Sequence, residues 1–173
     1  MLRSAAFTAV SGMGQVVLGA SALGAAWMAW RQPAGSGWLR VWLAEAVVAA
    51  GISLISMRAK AERLGLPLLS GPGRKVAIGL GPAFAAGAVL TYMLHGAGAD
   101  AALPPAWMLL YGAGIITGGA YSISLVPLMG MCFMVMGTLA AVSPAAWGEF
   151  YLAGSFGGLH ILFGMLIARR HGG

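Results

Sequence analysis

The chain has 173 residues, of which 60% are hydrophobic and only 8% are charged, and its net charge is +6. Soluble domains are about 45–50% apolar and about 25% charged, and four acidic with ten basic side chains cannot cover a water-facing surface. This composition excludes a soluble enzyme and a soluble nucleic-acid-binding protein. It predicts an all-α, multi-pass membrane protein in which residues 1–173 form one transmembrane domain. The single cysteine, Cys132, excludes an intramolecular disulfide.

Apolar stretches predict six transmembrane helices. The first stretch is longer than the 7–15-residue core of a signal peptide, so it predicts a retained helix. The run from Ala106 to Val142 has 37 residues, too many for one crossing of a core of about 30 Å, and predicts two helices with a turn at 122–127. A loop rich in Gly and Pro is expected at 64–75. The predicted spans are 5–30, 38–57, 76–94, 106–122, 127–142 and 149–168.

The basic residues predict the orientation of these helices, which we interpret as three hairpins. Six spans place both termini on one side, and if that side is cytoplasmic only Arg31 and Arg40 lie outside. Eight basic residues inside against two outside fit the positive-inside rule. The six tryptophans are expected near the outer edge as an aromatic belt. The eight basic residues are Arg3, Arg58, Lys60, Arg63, Arg74, Lys75, Arg169 and Arg170.

The first and last hairpins share a register. Pro33 precedes Arg58 by 25 residues, and Pro144 precedes Arg169 by the same 25 residues. Gly19 lies 14 residues before Pro33, as Gly130 does before Pro144. The pattern predicts an internal repeat of two-helix units.

Hairpins with recurring glycines are predicted in residues 14–51 and in residues 131–164. In this pattern the chain resembles the HdeD-like acid-resistance membrane proteins of bacteria. The resemblance implies a small inner-membrane protein linked to stress, and it carries over no catalytic site.

Three polar residues within the predicted spans are candidate functional residues, because burial of such groups in hydrocarbon is expensive. They are Glu45, His160 and Gln15. His160 and Gln15 both have glycines at i−3 and i+4, so both are expected to face other helices. The functional interpretation is a polar path for protons or a small solute, with a direct Gln15–His160 hydrogen bond. The structural interpretation is a packing hydrogen bond and an interfacial glutamate.

The fifth span also carries sulfur ligands on one helical face, at Met129, Cys132 and Met136. Thioether and thiolate groups select Cu(I), so a copper site is conceivable, although Met also serves as a flexible packing residue. No other cofactor is predicted, because the sequence has no phosphate loop, HExxH motif or paired-carboxylate site. Glycines expected in close helix contacts are Gly12, Gly19, Gly114, Gly118, Gly154, Gly157, Gly158 and Gly164.

These observations predict a bacterial inner-membrane protein with a non-enzymatic role in transport or stress tolerance. The alternatives are an accessory subunit that packs against a membrane-protein partner or a second copy, and a Met/Cys copper handler. The lipid bilayer is the expected surrounding, and no nucleic-acid partner is expected.

Overall fold

The computed structural model describes residues 10–33, 35–63, 65, 71–120 and 122–171. Six of its helices are long and apolar enough to cross a membrane, which confirms the all-α prediction and the predicted number of long apolar helices. They are α1 (Gly12–Trp30), α2 (Ser36–Arg63), α3 (Gly71–Gly96), α4 (Leu103–Gly119), α5 (Leu125–Val142) and α6 (residues 148–171). Short 3₁₀ turns at Asp100–Ala102 and Ala145–Trp147 lead into α4 and α6.

Helix α6 is not a uniform α-helix. It consists of an α-helical turn at Gly148–Leu152, a π-helical segment at Ala153–Leu159, and a second α-helical part at His160–His171. The Ser155 hydroxyl is fully buried and donates to the Tyr151 carbonyl at 2.7 Å. Wide π-helical turns are often found at functional sites.

Several predicted boundaries are wrong. Helix α1 begins at Gly12, because the Ser11 hydroxyl caps it by accepting from the Gly14 N–H at 3.2 Å; residues 5–9 of the predicted span lie outside the described residues. Residues 71–75 of the predicted 64–75 loop are helical, since α3 already begins at Gly71. Pro72 does not prevent this, because proline is compatible with the first turn of a helix.

The turn between α4 and α5 lies slightly earlier than predicted. Helix α4 ends at Gly119, so Ser122 is outside it, and α5 begins at Leu125 rather than at Pro127. Pro127 therefore occupies the first turn of α5, where its missing N–H removes no intrahelical hydrogen bond.

The helices pack in two groups joined by α6. Helix α1 packs between α2 and α6, and α4 packs between α3 and α5, while α6 also contacts α4 and α5. The apolar core lies where α1, α4, α5 and α6 meet, and its fully buried members include Met108, Met129, Phe133, Leu152 and Ile167. Helices α2 and α3 are the least buried of the six.

Glycines allow the backbones of neighbouring helices to meet. A β-carbon added to Gly19 on α1 would lie only 2.6 Å from the Gly157 carbonyl oxygen on α6. A β-carbon added to Gly112 on α4 would lie 2.7 Å from the carbonyl oxygen of Gly130 on α5. At these points no side chain fits without moving a backbone, as expected for close contacts between membrane helices.

The other glycines predicted to pack mostly do so. Gly12 lies against Ala168, Gly164 against Gln15, Gly157 against Leu23, Gly154 against Met136, Gly114 against Ala83 and Gly118 against Gly79. Gly158 is the exception, because it is exposed and an added β-carbon would meet nothing within 4 Å. The wide turns of the π-helical segment rotate Gly158 away from the face that its spacing from Gly154 predicted.

The tryptophans differ in burial. Trp27, Trp30 and Trp147 have exposed side chains. Trp42, in contrast, is only 4% exposed and belongs to the core, where its ring lies 6.3 Å from that of Phe156.

Gly19→Ala should lower the thermal stability of the purified protein in detergent, because the new methyl group displaces the α6 backbone. Overpacking of this kind costs about 1–3 kcal/mol. Gly24→Ala is the matched control on the same helix, since Gly24 has nothing within 4 Å of an added β-carbon. Equal melting temperatures for the two variants would contradict the α1–α6 contact.

Candidate functional site

The centre of the bundle contains a hydrogen-bonded pair, the buried His160 on α6 and the partly buried Tyr111 on α4. The Tyr111 hydroxyl lies 2.7 Å from His160 Nε2, and His160 Nδ1 lies 2.9 Å from the carbonyl oxygen of Phe156. A carbonyl oxygen only accepts, so Nδ1 carries a proton and donates to it. In the neutral ring Nε2 then accepts from the tyrosine hydroxyl. Both nitrogens of this fully buried ring are therefore used.

Aromatic rings enclose this pair. Phe133 on α5 lies 4.7 Å from the Tyr111 ring and 5.2 Å from the His160 ring, measured between centroids. Phe156 lies 5.2 Å from the Tyr111 ring and 5.1 Å from the Phe133 ring. These separations are typical of favourable edge and tilted ring contacts, so the His160–Tyr111 pair helps to hold α4, α5 and α6 together.

The three polar residues singled out from the sequence have separate surroundings. Gln15 lies on the α6 side of α1, against Gly164, as predicted. The predicted Gln15–His160 hydrogen bond is wrong, because His160 bonds to Tyr111 and Phe156 instead. The buried Oε1 of Gln15 has no hydrogen-bond partner among the described residues. Glu45 is buried on α2 and accepts a hydrogen bond from the Ser21 hydroxyl on α1 at 2.8 Å.

The sulfur-bearing residues of α5 take part in packing. Met129 is 1% exposed in the core, while Cys132 and Met136 are partly buried against it. Met136 also lines an open, mostly apolar cleft of about 440 Å³ with Trp147, Phe150 and Tyr151. Within the described part of the chain, no group of three or more His, Cys, Asp or Glu side chains could hold a metal ion.

A second polar centre lies at the start of α6, around Glu149. Its Oε2 accepts hydrogen bonds from the indole N–H groups of Trp38 at 2.6 Å and Trp42 at 3.3 Å, both on α2. Its other oxygen, Oε1, is buried and has no hydrogen-bond partner among the described residues. Buried polar atoms of this kind are rare and require an explanation.

Further hydrogen bonds and ring contacts hold the tryptophans in place. The Trp38 ring stacks on Trp107 of α4 with a centroid distance of 5.6 Å and an angle of 4°. The Trp107 indole donates to the Thr91 hydroxyl at 2.8 Å, and this hydroxyl donates to the Gly87 carbonyl at 2.7 Å. Glu149 is thus linked to α2 through Trp38, from there to α4 through Trp107, and finally to α3 through Thr91.

Glu149 lines a partly open cleft of about 440 Å³, which we call the terminal cleft. It forms where residues 29–33 and 35–38 meet the segments 100–104 and 145–150, so three interhelical connections lie at one end of the bundle. Trp30, Trp38 and Phe150 contribute aromatic rings, and Asp100 contributes a second carboxylate. The size lies within the usual range for a small-molecule site, about 300–1,000 Å³.

Sequence reasoning missed Tyr111, Asp100 and Glu149 as site residues. Glu149 is one of four acidic residues and begins a span, and Trp38 and Trp42 are one helical turn apart. This spacing places both indole N–H groups on one helix face. That signal was present, but the sequence does not indicate which helix the face contacts.

No protein-family model, curated protein or solved structure matches this chain. The resemblance to HdeD-like proteins therefore stays a prediction.

The contribution of the Tyr111–His160 hydrogen bond to the free energy of unfolding can be measured by a double-mutant cycle with Tyr111→Phe, His160→Leu and the double variant. We expect each single variant to lower the melting temperature and the pair to be coupled, because either change leaves a buried polar group without its partner. Such hydrogen bonds between membrane helices contribute about 0.6 kcal/mol on average and at most about 1.7 kcal/mol. Strictly additive effects in thermal or denaturant unfolding in detergent would contradict the coupling.

Proposed function

We propose that this protein is a bacterial inner-membrane protein that binds a small solute in the terminal cleft, in a non-enzymatic role in transport or stress tolerance. The observation that carries this proposal is a cavity of about 440 Å³ lined by Glu149, whose carboxyl group has one oxygen without a hydrogen-bond partner among the described residues. A carboxylate fixed by two indole donors is already oriented before a ligand arrives. Pre-organisation of this kind reduces the entropic cost of binding.

The proposed topology is three hairpins with both termini in the cytoplasm. The start of α1 and the ends of α2 and α6 lie together, because Lys60 Nζ donates to the Val10 carbonyl at 2.9 Å and Gly12 packs on Ala168. Arg58, Arg63, Arg169 and Arg170 belong to these same helix ends. The positive-inside rule favours the cytoplasm for this end, so the terminal cleft opens on the opposite side.

The interior polar residues remain part of this proposal as a predicted route. Glu45 and His160 are ionisable groups buried within the spans, and such groups mark ion and proton pathways in membrane proteins. The hydrogen bonds of His160 also explain its presence by packing alone, so the route depends on the flux measurements below.

A second candidate function, as an accessory subunit, is favoured by the exposure of α2 and α3. Each of these helices has one main helix neighbour, α1 for α2 and α4 for α3. Their large exposed side chains include Val47 and Ile55 on α2, and Phe84 and Tyr92 on α3. Site-specific crosslinking from these positions in native membranes would identify a protein partner, whereas crosslinks to lipid alone would remove this candidate.

The topology predicts that two single cysteines are labelled from opposite sides of the membrane. In a Cys132→Ser background, Ala97→Cys lies at the cleft end and His171→Cys at the basic end, and both positions are exposed. We expect an impermeant maleimide added to intact spheroplasts to label Ala97→Cys at once and His171→Cys only after permeabilisation. Labelling of both positions in intact spheroplasts would overturn the proposed topology.

Filling the terminal cleft should abolish solute flux. Ala146 is exposed and lines the cleft, so Ala146→Trp places an indole in the cavity. Ala141→Trp is the matched control, because Ala141 is also exposed, near the end of α5, and is not among the cleft-lining residues. The measurement is uptake of radiolabelled cations, neutral polyols and anions into proteoliposomes, with a thermal melt of each variant.

We expect Ala146→Trp to lose uptake and Ala141→Trp to retain it at equal melting temperatures. Equal uptake by both variants, or no uptake of any solute by the unaltered protein, would contradict the transport role. The same assay on Glu45→Gln and His160→Ala tests the interior route. Full uptake by both of these variants would assign the two residues to packing.

A further inference from the structure

We propose that the terminal cleft recognises an organic monocation, an alkyl- or arylammonium group with apolar substituents. This inference rests on the proposed function and names the ligand class of the same site. The juxtaposition that supports it is the Glu149 carboxyl group, one oxygen of which has no hydrogen-bond partner among the described residues, and the rings of Trp30, Trp38 and Phe150 around one cavity.

The ionisable side chains that line the cleft are acidic. They are Glu149 and Asp100, and none of the described lining residues is Lys or Arg. The two basic side chains closest in sequence contact other groups: the Arg31 guanidinium lies 3.7 Å from the centroid of the Trp27 ring, and Arg40 Nε donates to the Ser36 carbonyl at 3.1 Å. An anion in this cleft would lie beside two carboxyl groups, which favours a cation as the ligand.

The indole donors orient Glu149 but do not neutralise it. Both N–H groups bond to Oε2, whereas Oε1 is enclosed by the protein and has no hydrogen-bond partner among the described residues. A ligand can bond to Oε1 once the side chain moves. Asp100 differs, because its Oδ1 lies 2.8 Å from His95 Nδ1. Glu149 is therefore the primary charge that a cationic ligand would pair with, and Asp100 adds a second, already partnered carboxylate.

The aromatic walls favour a cation with an organic rather than a hydrated surface. Trp30 and Phe150 meet edge to face at a centroid distance of 4.9 Å, and the Trp38 ring is held against Trp107. Ring faces attract ammonium groups, and aromatic cages for quaternary ammonium ligands use this interaction. Apolar substituents on nitrogen would also bury against these rings.

A small metal ion fits the cleft less well than an organic cation. Hard cations such as Ca²⁺ require six to eight oxygen ligands, and the described residues contain no cluster of three or more His, Cys, Asp or Glu side chains. A neutral ligand would leave the Glu149 oxygen without a charge partner. The cleft chemistry therefore selects positive charge together with apolar surface.

The same ammonium chemistry is available from a soluble amine or from the headgroup of an aminophospholipid. The cleft lies at one end of the bundle, where either source has access. The experiment below therefore compares bilayers with and without an aminophospholipid.

The test is isothermal titration calorimetry of benzyltrimethylammonium into the full-length protein in nanodiscs of phosphatidylglycerol, with empty nanodiscs as the blank. Benzyl alcohol and benzoate serve as the neutral and anionic probes. We expect saturable binding of the cation only. Equal affinity for benzyl alcohol, or preferential binding of benzoate, would overturn the proposal.

The variants locate the binding determinants. Glu149→Gln should weaken cation binding by at least about 10-fold, because the amide oxygen can still accept from the indoles but carries no charge. Phe150→Leu should weaken it by about 2- to 30-fold, the range expected for loss of one cation–π contact. Glu62→Gln is the matched control, since Glu62 pairs with Arg58 at the other end of α2, and it should leave affinity unchanged.

Asp100→Asn keeps the test decisive if Glu149→Gln does not fold. We expect Asp100→Asn to weaken cation binding several-fold. The proposal would be overturned if every one of these two carboxylate variants that folds binds the cation as the unaltered protein does. Replacing half of the lipid by phosphatidylethanolamine distinguishes the two sources of the ammonium group, because a headgroup that occupies the cleft competes with the added cation. An apparent affinity for benzyltrimethylammonium that falls several-fold identifies the lipid headgroup as the occupant. An unchanged affinity identifies a soluble cation.

The two proposals can fail separately. If the protein takes up a neutral or anionic solute and Ala146→Trp abolishes this uptake, the transport role is upheld and the proposal of a cationic ligand is overturned. Carboxylate-dependent cation binding without uptake of any solute would overturn the transport role and support the ligand class.

Discussion

Direct backbone contact between α1 and α6 positions the rest of the bundle. Gly19 meets the Gly157 carbonyl, and Gly12 and Gly164 form a second contact nearer the basic end. In a bilayer there is little hydrophobic gain from moving a leucine from lipid to protein, so close packing provides much of the driving force for helix association. This contact places α6 beside α1 while leaving its other side free to meet α4 and α5, where the core and the His160–Tyr111 pair form.

Polar side chains inside the bundle follow a second constraint, which is that lipid offers them no hydrogen bonds. Most of them therefore form hydrogen bonds to other side chains. His160 bonds to Tyr111, Glu45 to Ser21, and the Trp107 indole to Thr91. Glu149 and Gln15 depart from this pattern, because each has a buried Oε1 without a hydrogen-bond partner among the described residues. An incompletely satisfied carboxylate beside a cavity is the feature that distinguishes the terminal cleft from the closed interior.

The π-helical segment of α6 separates these two polar centres. Glu149 and His160 are 11 residues apart, which is about three turns of a regular α-helix and would place both on one face. A π-helical turn contains more residues, so the segment Ala153–Leu159 changes the direction of the later side chains. Glu149 consequently meets α2, whereas His160 meets α4.

The sequence alone determined the fold class and the approximate span positions, because composition and the lengths of apolar runs are set by bilayer thickness. Most of the glycines that it predicted to pack do meet another helix, since a side chain cannot fit where two helix backbones meet, but it missed the contact between Gly112 and Gly130. The tertiary structure decided which helices are neighbours. Spacing along one helix reveals a polar face but not its partner, so the Gln15–His160 bond was predicted incorrectly and Tyr111 was missed. Helical periodicity also assumed a regular α6, which placed Gly158 on the wrong face. The cleft around Glu149 depends on three connections distant in sequence, and only the packing of α1, α4 and α6 brings them together.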